Sequence, residues 1–202
     1  MTEYFASHPL VVLILVMLAL LTAFVCVKAA QASKKRYAEN EKIMNKLKED
    51  NRLRNDFSVL TRECVSSCEP SELFRGVALN LEKKIAESAD MEQAFAVLTQ
   101  EQREVYSLYF VLEDGGERLS GFFAANGSPL TDTAYEAVKK LLPEGAAAFA
   151  KELRAHDSRD ETTSYIKSDL EKWDAEFASA VSAESIARAG GKYISENFEK
   201  FI

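Results

Sequence analysis

The sequence predicts an all-α protein: a single N-terminal transmembrane helix, a helical stalk, and a compact domain of about six or seven helices. Three observations carry that expectation. Eight glycines and four prolines in 202 residues are too few for a chain built from tight turns. Apolar residues recur at spacings of three and four in one segment after another. No segment alternates apolar and polar residues between turn signals, as a half-buried strand would.

The first helix follows a short N-terminal segment, residues 1–9, whose Pro9 suits a first helical turn. Leu10 to Val27 reads LVVLILVMLALLTAFVCV, eighteen residues without a charge. At about 1.5 Å per residue it spans roughly 27 Å, close to the ~30 Å of a bilayer's hydrocarbon. A cleaved signal peptide is the competing reading, with Ala30-Gln31-Ala32 as its cleavage site. The acidic leader, the length of the apolar run and Lys28 favour a retained anchor. Lys28, Lys34, Lys35 and Arg36 follow the span and no base precedes it, which predicts an outside N-terminus and a cytoplasmic remainder. These membrane-proximal bases would also lie near anionic headgroups. Ala19 and Ala23 form a small-residue pair through which two spans could approach as a homodimer.

Residues 28–69 read as a basic juxtamembrane stalk without glycine, in which Ile43, Met44, Leu47, Leu53, Phe57 and Leu60 sustain no heptad. Lys28 to Glu63 holds ten bases and six acids, whereas Cys64 to Ile202 holds fifteen bases and twenty-five acids, a net charge of −10. The switch of sign beside Pro70 predicts an acidic domain over 70–202. Within it, Leu73, Phe74, Val77, Ala78, Leu81 and Ile85 mark one helical face. Thr99 to Gln102 reads as a capping box for a helix with Val105, Leu108, Tyr109 and Leu112 inward and Gly115-Gly116 at its end. A short helix with Leu119, Phe122 and Phe123 stops at Asn126-Gly127, and Thr131 is the expected cap of the next. Pro143-Glu144-Gly145 precedes a helix over Ala147 to His156, and Asp157 to Ser164 reads as a polar linker. Ile166, Leu170, Trp173 and Phe177 form a clean stripe, and Ile186, Ala189, Tyr193 and Ile194 carry the last helix toward Phe198 and Phe201.

Little here suggests catalysis, and neither a metal nor a cofactor is expected. Cys64 and Cys68 share a helical face but supply only two ligands. His156, the one histidine beyond the span, reads as a helix-end cap beside Asp157. The net charge of −7 argues against direct nucleic-acid binding, which needs a basic face. A protein partner is the better expectation. Asp157, Asp160, Glu161, Asp169, Glu171, Asp174 and Glu176 form a candidate acidic surface on both sides of the Trp173 stripe. Carboxylates on a rigid helical scaffold steer a basic partner by long-range attraction.

One resemblance sharpens this. Val105-Tyr106-Ser107-Leu108-Tyr109, then Glu113-Asp114-Gly115-Gly116, Gly121-Phe122-Phe123 and Asn126-Gly127, is similar to the signature of the DNA-mimic protein C-terminal domain family. The Leu170–Phe177 segment and the closing Tyr193-Ile194 with Phe198 resemble later parts of that family, so the likeness covers roughly residues 72–202. It implies an acidic, all-helical bacterial domain that dimerises and offers carboxylates to a DNA-binding protein in place of phosphates. It implies structural roles for Gly115, Gly116, Phe122, Phe123 and Asn126. The expected function is therefore a non-catalytic, protein-binding module held at a bacterial inner membrane. The alternative is an organising component of a membrane protein complex, and an enzyme is the remaining class.

Overall fold

The computed structural model describes residues 9–116, 118–157 and 167–202. Every regular element among them is helical. The chain divides into two compact units, Met1–Glu49 and Asp50–Ile202.

The first unit belongs to helix α1, Pro9–Asp56, whose closing turns belong to the second. Lys28, Lys34, Lys35 and Arg36 are exposed along it, Lys35 facing Glu39 at 3.9 Å. Among the described residues, no helix is long and apolar enough to cross a membrane. In this helix side chains 9–12, 14–16, 19, 20, 23 and 32 lie outside the described set, including the Ala19–Ala23 pair. The transmembrane expectation thus has no support from the described helix and rests on the composition of Leu10–Val27.

The second unit begins at Asp50, earlier than the boundary that the charge switch suggests. Its first residues are core residues. Leu53 is 1% exposed and Phe57 5%, and Phe57 lies so close to Gly76 that a Cβ there would overlap its ring. Burying two such side chains stabilises the domain by about 1.5–3 kcal/mol each. Asp50 accepts from Arg75 at 2.9 Å, and Arg52 donates to Glu72 at 2.7 Å, tying the same turns to the next long helix. Residues 50–69 are therefore part of the folded domain.

Nine helices follow α1 in the described residues: α2 Arg62–Ser67, α3 Pro70–Ala86, α4 Met91–Val97, α5 Gln100–Glu113, α6 Leu119–Ala125, α7 Leu130–Leu141, α8 Ala146–Asp157, α9 Lys167–Ala180 and α10 Ala183–Glu196. A 3-10 turn, Phe198–Lys200, closes the chain. Helices α3, α5 and α10 pack together at the centre, α7 lies against α5, and α6, α8 and α9 form a second group joined to the first through α5 and α7. Phe74, Leu73, Val105, Leu108, Phe122, Val138, Phe149 and Ile194 are almost wholly enclosed.

Local chemistry sets many of the boundaries. Thr99 Oγ1 accepts from the Gln102 backbone while Gln102 Oε1 accepts from the Thr99 backbone, the expected capping box of α5. Ser182 and Ser185 cap α10 in the same reciprocal way. Helices α2 and α4 are additions to the expected set, each capped by its own side chain, Thr61 and Asp90. Thr131 is not a cap. Helix α7 starts at Leu130, with Pro129 as an N-cap residue that makes no side-chain cap bond, and Thr131 lies buried in the first turn at 6% exposure.

Helix α10 comes close to the start of α3. A Cβ on Gly191 would overlap the Pro70 carbonyl, and one on Gly190 would overlap the ring of Phe74. Two glycines inside a helix weaken its local propensity, and here close helix–helix packing offsets that cost.

Candidate functional site

The expected acidic surface centres on α9, and its residues have different fates. Asp169 and Glu171 are exposed. Glu176 is partly exposed and accepts from Lys151 Nζ at 2.6 Å, a hydrogen bond that holds its carboxyl below the usual range. Asp174 is only 6% exposed. It accepts from the Ser120 backbone at 2.7 Å and from Ser120 Oγ at 2.8 Å, fastening the first turn of α6 to α9. Asp160 and Glu161 lie outside the described residues, as does the Asp157 side chain, so Asp169 and Glu171 are the seen part of an outward acidic face. In the stripe, Phe177 is buried while Leu170 and Trp173 are partly exposed, and Ile166 lies outside the described residues.

The residues of the glycine–phenylalanine motif form one structural unit between α5 and α6. Gly116 has φ +39°, the left-handed conformation that favours glycine. A Cβ on Gly115 would overlap the Val111 carbonyl, and one on Gly121 would come within 2.7 Å of the Asp114 carbonyl oxygen. Asn126 Nδ2 donates to Asp114 Oδ2 at 2.8 Å and to the Phe122 carbonyl at 2.9 Å, joining the end of α5 to the end of α6. Phe122 and Phe123 are buried, their rings 5.2 Å apart, and both meet Phe149 of α8, at 6.0 and 5.0 Å. These contacts position α6, and with it the Ser120 that holds Asp174.

Two buried polar clusters have no counterpart in the sequence expectations. In the first, Tyr193 Oη donates to Glu104 Oε2 at 2.6 Å, and Lys140 Nζ donates to Glu104 Oε2 at 3.0 Å and to Tyr193 Oη at 2.7 Å. Gln100 adds a bond to Glu104 Oε1 at 3.1 Å. Burial and the Glu104 hydrogen bond push the Tyr193 phenol up to about 12. This network ties α5, α7 and α10 together with each carboxylate oxygen satisfied.

The second cluster lies on α8. Glu152 is fully buried, and neither of its carboxyl oxygens has a hydrogen-bond partner among the described residues. His156, one turn on, places Nε2 3.7 Å from Glu152 Oε2 and stacks on the Phe123 ring with centroids 5.3 Å apart. His156 is thus half-enclosed against a core ring, where the sequence suggested a terminal cap. Burial pushes the Glu152 carboxyl up to about 7, with the Asp174 carboxylate adding to the shift. Burial lowers His156 while Asp174 opposes that change. A buried carboxyl with a raised pKa was invisible in sequence, because Glu152 sits among ordinary helix formers in an i, i+4 Glu–His pair typical of solvated helices.

Cys64 and Cys68 are partly buried, and burial followed by the neighbouring Cys64 raises the Cys68 thiol. Among the described residues, no three His, Cys, Asp or Glu side chains converge as metal ligands.

Fold and site together define an all-helical domain in which, among the described residues, Glu104, Glu152 and Asp174 are buried and other acids, Asp169 and Glu171 among them, are exposed. Compared with protein-family models, with curated proteins and with solved structures, the chain matches none.

Proposed function

We propose that this chain is a membrane-anchored, non-catalytic binding module whose acidic helical domain engages a basic protein, in the sharpest form a DNA-binding protein that meets carboxylates in place of phosphates. The reading is carried by the segregation of charge. Asp50–Ile202 holds eighteen bases and twenty-eight acids, net −10, while Met1–Glu49 holds seven bases and four acids, net +3. A field of one sign over one compact body raises the rate of encounter with oppositely charged partners and repels nucleic acid. The sharper form rests on the family resemblance, which is read from the order of the Asp114-Gly115-Gly116, Gly121-Phe122-Phe123 and Asn126 motifs in the sequence.

The anchor is proposed from sequence. The uncharged Leu10–Val27 run, followed by Lys28, Lys34, Lys35 and Arg36, places the N-terminus outside and the acidic domain beside the inner leaflet of a bacterial inner membrane. A second reading, an organiser of membrane complexes, draws on exposed Tyr37, Ile43, Met44 and Leu47 along α1.

Capture of partners by the full-length protein at low and high salt tests the first reading. The expected outcome is a basic partner retained at low salt, released as screening shortens the reach of the field, and still bound by a chain lacking residues 1–33. Loss of all capture on that deletion would favour the organiser, and recovery of acidic or neutral partners alone would remove the charge-based reading.

A further inference from the structure

A groove of about 400 Å³ opens between the end of α3, helices α4 and α5, and the 126–130 turn. Its floor is aromatic and aliphatic: Ile85, Phe95, Tyr106 and Phe110, with Met91 and Leu130 at the edges. The Tyr106 ring lies 5.8 Å from Phe95 and 4.9 Å from Phe110, both tilted, so three rings border one apolar trough. Met91 is 58% exposed beside it, an unbranched side chain suited to covering varied contacts.

The one charged side chain in the described lining is acidic. Glu92 lines the groove itself and is exposed. Asn126, also in the lining, holds Asp114 at 2.8 Å, and Ser128, on the same edge, holds Asp132 at 2.7 Å. Among the described residues no Lys, Arg or His lines it. Burial, with the nearby carboxylates of Glu82 and Asp114 adding to it, pushes the Tyr106 phenol up to about 12.

The geometry points to this groove as the seat of a cationic side chain from the partner protein: the aliphatic stem of an Arg or Lys lies on the Phe95–Tyr106–Phe110 floor, and its head reaches Glu92 on the edge, with Asp114 and Asp132 held just behind by Asn126 and Ser128. Aromatic faces attract such cations, and a long basic side chain matches an apolar trough with an acidic edge. The inference rests on the reading of the domain as a binder of basic protein, and it names where the contact is made.

The four methionines, Met1, Met17, Met44 and Met91, give a direct test. The full-length chain, labelled with ¹³C at the methionine methyl groups and held in zwitterionic nanodiscs, is titrated with a nine-residue peptide carrying Leu-Arg-Leu-Lys at its centre. A counterpart carrying Leu-Gln-Leu-Gln is the control, and calorimetry records total binding. The Met91 signal is expected to shift with the basic peptide while Met44 does not, the control peptide to leave it unmoved, and Glu92→Lys to weaken binding about tenfold. Binding with Met91 unmoved, or equal shifts with both peptides, overturns the groove and leaves the acidic module standing. No binding of the basic peptide at low ionic strength overturns both.

Discussion

Glu152 and His156 face each other 3.7 Å apart at the end of α8, with the carboxyl wholly enclosed and the imidazole stacked on Phe123. A carboxyl so placed favours its protonated form, since among the described residues an ionised carboxylate there has no hydrogen bonds to replace water.

The pH dependence of stability follows with a definite sign. The Glu152 pKa is about 7 in the fold against an ordinary 4.5. Below pH 4.5 both states hold the proton, and between 4.5 and 7 only the folded chain keeps it, so stability falls as pH rises through that window. The full loss is on the order of 3 kcal/mol. His156 acts in reverse: its lowered pKa removes stability as pH falls below 6.5. Urea unfolding from pH 4 to 8 is expected to show a flatter profile for Glu152→Leu, with a higher midpoint than the parent at pH 8. Parallel profiles would show that Glu152 is not the source.

Asp174 is expected to matter to folding more than to binding. Its two bonds from Ser120 are partly buried and charge-assisted, each worth about 1.5–3 kcal/mol. Asp174→Ala should cost about 3 kcal/mol in chemical unfolding, and Ser120→Ala less, because the backbone N–H bond survives. A double-mutant cycle should show coupling between the two positions, and additive losses would refute the clasp.

The approach of α10 to α3 sets a third expectation. Gly191→Ala must displace the Pro70 carbonyl and should destabilise by about 1–3 kcal/mol. Gly127, around which a Cβ meets nothing within 4 Å, is the control: Gly127→Ala should stay within about 0.5 kcal/mol in the same thermal unfolding measurement.

Signals carried by neighbouring residues were readable from the sequence. The Thr99–Gln102 capping box, the stop at Gly115-Gly116 and the buried faces of α3 and α5 depend on spacings of a few positions. What escaped depends on partners far along the chain. Asp174 looked like a surface acid because its partner, Ser120, is 54 positions away. Glu104 gains its meaning from Tyr193, 89 positions on. Leu53 and Phe57 looked like scattered residues of a stalk, since a short apolar pair shows no period, and only Gly76 opposite Phe57 reveals a seat for the ring. The acidic character of the domain was plain from counting, whereas which acids turn outward was not.

The seating of Phe57 against Gly76 also decides how the acidic body can be separated from its N-terminal helix. A fragment starting at Cys64 or Pro70, where the charge changes sign, would lack both Leu53 and Phe57 and leave their apolar berths open to water. One starting at Asp50 keeps them. The natural seam for excision is therefore upstream of the change in charge, and aggregation of shorter pieces would report a missing plug rather than an inherently unstable domain.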